Sequence, residues 1–389
     1  MRILLSIHEK LDLNSGAAGS TLRIGKEYQK LGHEVYYYSF DDLPSIFPLK
    51  VKELVFPEFV AFKISQSIDK FNIDVVDAST SDAWLWAKVL RNLNKKAPVL
   101  ITRSHGLEHI QHLQDMEEAI RGDLKLSWKY PLYRGSIQLW EVAESIKLAD
   151  SVYLLNTQEK KYVVEHFEVN PDRAYIFPNG IPEYLINLPF KPLDHNAEVP
   201  IKIAQISTYI TRKGIKYSSS AINNILNRYP QVEVSFLGTE CPECPDVEQV
   251  YADFAPNIRD RITVIPRFNH EALPHLLKGH HIKLLPSLSE GFGKALIEAM
   301  ACGLAPITTA TSGPLEIVTN DHDGVIIPPR SSNAIEQALE RLISDQIYLN
   351  SLRYNAYKTS QKYSWKTTAE NRLSIYQQNL KSKNKQLCT

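Results

Sequence analysis

The stretch SEGFGKALIEAMACG, Ser289–Gly303, places two carboxylates, Glu290 and Glu298, around a phenylalanine flanked by glycines. The apolar run HIKLLPS leads into it, so the order is strand, loop, helix. The helix is expected to begin near Gly293–Lys294, which leaves Glu290 in the loop and Glu298 about one turn inside. The first N–H groups of a helix have no partner within it and sit at its positive end, so Gly293, Lys294 and Ala295 offer a ready anion site. Gly291 and Gly293 allow the backbone to approach a ligand closely. A phosphate bound there leaves Glu298 placed to accept protons from two ribose hydroxyls. Glu290 then faces whatever is attached to the far side of the phosphate. Glu298 also complements the helix dipole, and the two roles are compatible.

Other chemistry is less well supported. Cys241 and Cys244 form a CPEC pair, but no second CxxC or HxxxH completes a tetrahedral metal set, so a loop role is preferred. Cys302 follows Met300 and Ala301 in an apolar run and reads as core. Gly16 and Gly19 precede the first helix, and Asp41 follows at a distance an NAD site would use. SGAAG is not GxGxxG, however, and about eight residues separate the first strand from Gly16, where a dinucleotide turn is much tighter. A glycine loop beneath a diphosphate or an acceptor is preferred. SFDD ends an early strand in the wrong place to hold a metal at the site, so no metal and no cofactor are expected.

The elements that must position these residues read as two successive α/β units. RILLSI, EVYYYS, IDVVDAS, PVLITRSHG, ADSVYLLNT and RAYIFPNG are short apolar strands interleaved with helices, the signature of a parallel sheet. LPFKPLDHNAEVP, at Leu188–Pro200, reads as a linker. The pattern then restarts with IKIAQIS, VEVSFLG, ITVIPRF, HIKLLPS and GVIIPP. Domains are expected at 1–188 and 200–364, with a last helix over about 365–381 and a frayed end after it. Two such units imply similar domains facing each other across a cleft, with ligands outside the carboxyl ends of the strands.

Bulk properties exclude several classes. The 389 residues are too many for one ordinary core. Lys+Arg and Asp+Glu are 44 each, so no large nucleic-acid footprint and no polybasic membrane anchor is present. MRILLSIHEK is too short for a secretory signal, and no stretch reaches the length of a membrane span. A cytoplasmic protein is expected, with loose attachment to a membrane surface compatible.

The whole context PSLSEGFGKALIEAMACGLAPITTATSGPLEIV, followed by GVIIPP, closely resembles the donor-site signature of family 4 glycosyltransferases, retaining enzymes of the GT-B fold. NSGAAGSTLRIGKEYQKLGHEVYYYS resembles the family's glycine loop and first helix, ITRSHGLEH its His-Gly strand end, IFPNGI its Asn-Gly step and TRKGI the loop that opens the second domain. The tail from Trp365 resembles the last helix, which in this fold crosses back onto the first domain. The resemblance spans nearly the whole chain.

It implies an α/β GT-B architecture of two Rossmann-like domains, the first on the acceptor side and the second binding a nucleotide-diphosphate sugar. It implies that Glu290 contacts donor-sugar hydroxyls, that Glu298 binds ribose, and that His105 lies close to the donor sugar. Gly291, Phe292 and Gly293 touch sugar and phosphate through their backbone, Phe292's side chain being open, and Lys294 and Ala295 add backbone N–H groups. Lys213, with Arg212 as a lesser candidate, pairs with the diphosphate, the main electrostatic demand of the reaction. Base selection falls on backbone contacts around Arg267. One departure matters: the family often has Gly-Arg where this chain has Ser207-Thr208, and Thr208 can give only a neutral hydrogen bond.

The expected activity is retaining transfer of a sugar to a hydroxyl of a glycan, lipid-linked or small-molecule acceptor, with no metal and no nucleic acid involved. The rival readings are a phosphorylase or disaccharide synthase of the same fold, and a catalytically inactive binding or scaffold protein.

Overall fold

The computed structural model describes residues 1–94, 96–193 and 200–387. Six strands form the first sheet: β1 (Arg2–Ile7), β2 (Glu34–Ser39), β3 (Val75–Ser79), β4 (Val99–Arg103), β5 (Ser151–Leu154) and β6 (Ala174–Ile176). Six more form the second: β7 (Ile201–Ile206), β8 (Val232–Leu237), β9 (Ile262–Ile265), β10 (Ile282–Leu285), β11 (Ala305–Thr309) and β12 (Val325–Ile327). All neighbouring strands are parallel.

The orders are β2-β1-β3-β4-β5-β6 and β12-β11-β10-β7-β8-β9. Both sheets are doubly wound. The chain builds outward from β1 to β2 and then lays β3 on the other side of β1. It does the same with β7, β8, β9 and then β10. The reversal leaves an opening at the carboxyl ends of β1 and β3 in one sheet, and of β7 and β10 in the other. Such switch points are where ligands bind in open α/β sheets.

The chain divides into two compact units, Met1–Gly180 with Trp365–Thr389, and Ile181–Ser364. The division falls at Gly180, ahead of the expected linker at 188–200, of which residues 194–199 lie outside the described part. Residues 181–187 therefore go with the second unit. Strand β11 has no counterpart among the expected strands. Its sequence, APITT, carries Pro306, which lacks a ladder donor and reads as a breaker, yet it pairs with Lys283 of β10.

In the first unit Leu4, Val76, Leu100 and Val152 pack against Phe56, Val60, Ile64, Val142 and Ile146. The opposite face, with Ile3, Leu5, Val75, Val99 and Ile101, is covered by Ile24 and Tyr28 and by Trp365, Leu373 and Tyr376. The last helix is thus part of the first core. It runs unbroken over Trp365–Leu387, beyond the expected frayed end, and Lys383 Nζ donates to the carbonyls of Ala97 (2.5 Å) and Pro98 (3.0 Å). In the second unit Ile203, Val234, Ile282 and Ile307 face Ile222, Ile225, Leu339 and Leu342. The other face sets Ala204, Ile206 and Leu237 against Leu273, Leu277 and Ala299. Among the described residues no helix is long and apolar enough to cross a membrane.

Under the last helix lies a buried charge network. Asp77 of β3 pairs with Arg103 of β4, both almost wholly buried, and accepts a further hydrogen bond from the Tyr376 hydroxyl. Arg103 also donates to Thr21 Oγ1 (3.1 Å) and the Ser6 carbonyl (3.3 Å). Removing one partner of a buried pair leaves the other charge uncompensated, which typically costs about 3–5 kcal/mol. Asp77→Ala should therefore lower the stability of the first unit by a comparable amount in a denaturant titration. An unchanged midpoint would show that water replaces the carboxylate.

Candidate active site

The second unit's switch point is shaped by close backbone packing. Gly214, at φ +71, follows the turn Thr211–Lys213, and a Cβ there would lie 2.0 Å from the Pro286 carbonyl oxygen. Only glycine lets the loops after β7 and β10 meet so closely. The Leu288 N–H donates to the Arg212 carbonyl (2.8 Å), which fixes one loop to the other. Lys213 Nζ then reaches Glu290 Oε2 at 2.7 Å, with about 15% of each side chain exposed. Burial alone would raise the Glu290 pKa, but the Lys213 ammonium and its hydrogen bond, with Arg212 nearby, hold the carboxyl below its usual value.

The helix expected near Gly293–Lys294 is Lys294–Ala301, with Gly293 at its N-cap in the left-handed region at φ +92. Phe292 is a core residue, buried and edge-on to Tyr363 with ring centroids 6.0 Å apart. Its backbone rests on Gly313, where a Cβ would come within 2.5 Å, and the Gly313 N–H donates to the Glu290 carbonyl (2.9 Å). The turn 290–293 is thus clamped from behind, and Gly291 stays half-buried in front. Lys294 and Ala295 are half-buried on the first turn.

Glu298 is buried, and His270 Nε2 lies 3.0 Å from its Oε1. An ionised carboxylate can only accept, so Nε2 donates. On the other side of the ring, the Tyr184 hydroxyl sits 2.5 Å from Nδ1 and 3.1 Å from the His270 carbonyl. The helix carboxylate is therefore oriented by residues from two other segments. Neither was read from the sequence, since only their proximity in the fold marks them. Thr208 is half-buried on the turn after β7. The Arg267 side chain pairs through Nε with Glu240 Oε2 (2.7 Å) beyond β8 and β9, and 78% of it is exposed. The fold thus gathers Lys213, Glu290, the helix start and Glu298.

The CPEC pair forms a tight turn in which Cys241 and Cys244 exchange backbone hydrogen bonds of 3.2 and 3.0 Å. Both thiols are free. Among the described residues no three His, Cys, Asp or Glu side chains gather as a metal site.

The first unit carries its own cluster at the ends of β1, β3 and β4. His105 accepts from Arg103 Nε at 3.3 Å. The glycine after it, Gly106, has φ +130, which explains the His-Gly step. Its loop is held by buried Glu159, which accepts from the N–H groups of Leu107 (3.1 Å) and Leu155 (3.0 Å). Gly16 caps the first helix and has open space around it, whereas a Cβ at Gly19 would meet the Leu13 carbonyl oxygen at 2.7 Å. Packing of the preceding loop is thus sufficient reason for Gly19.

A pair missed in the sequence spans the first switch point. His8 Nδ1 lies 2.7 Å from Asp82 Oδ1, and Ser6 Oγ donates to Asp82 Oδ2 at 2.7 Å. Asp82 is fully buried. Burial opposes charge on His8, but Asp82, by charge and hydrogen bond, outweighs it together with Glu108 and Glu9, and the His8 pKa is pushed up to about 9. The folded state therefore holds a proton that the unfolded chain releases near pH 6.5. That contribution is complete below about 6.5 and is lost as pH rises through about 9. The melting temperature of the wild type should fall relative to His8→Gln between those values. Parallel curves would mean that His8 is not held protonated.

The chain matches the family model of Glycosyl transferases group 1 over residues 192–359 and that of Glycosyltransferase Family 4 over residues 14–183. It belongs to this glycosyltransferase family. The Schizosaccharomyces pombe phosphatidylinositol N-acetylglucosaminyltransferase gpi3 subunit is 28% identical over 212 residues, 54% of this chain and 44% of that protein. The Streptomyces kanamyceticus alpha-D-kanosaminyltransferase is 22% identical over 255 residues, 62% of this chain and 64% of that protein. The chain spans about half the length of the first curated relatives it matches, from 44% to 57%.

Sucrose-phosphate synthase from Thermosynechococcus elongatus superposes with a TM-score of 0.80 at 19% identity, covering 98% of this chain and 99% of that one. Anabaena HepE in complex with UDP gives 0.72 at 15% identity, covering 97% and 100%. The fold is that of the GT-B glycosyltransferases.

Proposed function

We infer that the protein transfers a sugar from a nucleoside-diphosphate sugar to an acceptor hydroxyl, with the second unit holding the donor. The observation that carries this is the convergence of Lys213, Glu290, the Lys294–Ala301 helix start and Glu298 at one switch point. Each has a distinct part in the reading. The helix N–H groups and Lys213 meet the diphosphate, and Glu298, oriented by His270, accepts from the ribose hydroxyls. Glu290 accepts from the sugar. Its carboxylate is kept ionised by Lys213, as an acceptor must be. HepE, a neighbour in fold, is described with UDP and with UDP-glucose, which supports a donor of this class.

Departure of the diphosphate leaves an oxocarbenium-like sugar. In this reading Glu290 and Glu298 bind the donor, and neither serves as the nucleophile of a double displacement. Attack from the face that the phosphate leaves, with that phosphate taking the acceptor proton, gives retention. The cations and helix start carry the leaving charge, so the reading involves no metal. His105 keeps the sugar-orienting role the family implies, and the first unit is assigned the acceptor, a glycan, a lipid-linked sugar or a small molecule. The protein would work in the cytoplasm or at a membrane surface.

Thermal shifts with UDP-, GDP- and ADP-sugars test the reading. A donor at a hundredfold above its dissociation constant should add about 2.7 kcal/mol of stability. The shift should be selective for one base and lost in Glu298→Ala. Binding without release of sugar to any acceptor or to water would favour an inactive scaffold, and no shift with any donor would overturn the donor site.

A further inference from the structure

Lys283 lies in the middle of β10 with no exposed surface. Its neighbours in the strand, Ile282 and Leu284, pack into the core on one side. Lys283 points to the other, in register with Ala204 of β7, on the face that packs against Ala299 of the Lys294–Ala301 helix. Lysine is almost never fully buried without a partner. Here Nζ makes a single long hydrogen bond among the described residues, 3.4 Å to the carbonyl of Ile206. An ammonium has three donors, so this contact satisfies it poorly. Ile206 ends β7, two residues before Thr208, so the amine reaches from β10 across to the far strand of the switch point.

The charges around it decide what it can do. Lys213 and Arg212 stand on the turn after β7, Glu290 on the loop after β10, and Glu298 on the covering helix with His270 against it. His280, which bonds Ser235 Oγ on the same sheet, is held neutral by burial. The negative charges of Glu290 and Glu298 together cancel Lys213 and Arg212, leaving no positive surplus. A diphosphate brings more negative charge, of which the helix start offsets only about half an elementary charge. The site described so far is therefore short of positive charge once a ligand enters.

We propose that Lys283 is a further cation of the donor site, a buried amine that becomes an ammonium when a nucleoside diphosphate binds. The proposal rests on the donor reading of this switch point. Without ligand, burial first and Lys213 next lower the Lys283 pKa to about 7, against the pull of Glu290 and Glu298, so above neutrality the amine is mostly uncharged. The incoming diphosphate reverses that balance. A proton passes from buffer to Nζ, and no covalent bond between heavy atoms changes. Thr208, the neutral residue nearby, then needs no charge of its own.

Calorimetric titration of the full chain with UDP, and in parallel ADP and GDP, tests this in two buffers of different ionisation enthalpy. At about pH 8 the wild type should take up at least about half a proton per nucleotide bound. Lys283→Met should bind at least about tenfold more weakly and take up none. Lys283→Arg, charged at any working pH, should bind without uptake. Binding by the wild type with no proton uptake overturns the proposal, and so does uptake that persists in Lys283→Met. If Lys283→Met fails to fold, the wild type and Lys283→Arg still decide. If none of the three nucleotides gives a binding isotherm, the donor reading falls first and the proposal with it.

Discussion

The ion pair between Lys213 and Glu290 is the constraint on which the second unit's site depends. Its partners come from loops after β7 and β10, the two strands where the winding of the sheet reverses. Apolar residues could hold these loops together as well, because taking two charges out of water costs about as much as their attraction returns. What an apolar pair cannot do is present charge to a ligand. The neighbouring features serve that pair. Gly214 lets the loops touch, Gly313 backs the turn that carries Glu290, and Gly293 starts a helix directly beyond it.

The first sheet repeats the logic with different chemistry. Its switch point is closed by His8 and Asp82, again one residue from each side of the reversal. There the cation is an imidazole that depends on its acids for its charge, and a second pair, Asp77 with Arg103, lies one layer below. Arg103 then positions His105. A residue implied by family resemblance is thus traced, contact by contact, to the core of the first unit.

Much of this was legible in the sequence, for a physical reason. Buried parallel strands must be nearly continuous apolar runs, so RILLSI, EVYYYS and IKIAQI declared themselves almost to the residue. Gly293 marked the start of the Lys294–Ala301 helix because the chain needs a left-handed residue there. The hidden parts are those where local and tertiary signals conflict. Pro306 disguised β11, and Pro57 lies inside the long helix Leu49–Phe71. The partner of Glu298, His270, lies 28 residues away, and Tyr184 a further 86 residues back, and nothing local ties them together. Lys283 looked like an ordinary strand residue, since burial of its amine is a property of the sheet.

The last helix has a consequence for how the protein folds. Tyr376, Leu373 and Trp365 complete a core whose members outside that helix, from Ile3 to Phe177, all lie before the second unit. The second unit, Ile181–Ser364, is inserted between the two segments that build that core. Until the last helix docks, Asp77 and Arg103 lack the tyrosine that covers them, and the apolar face of β1, β3 and β4 stays open. The first unit is thus discontinuous in sequence, while the second is one continuous segment. The second unit can fold from one stretch of chain, and the first waits for the C-terminal helix to close it.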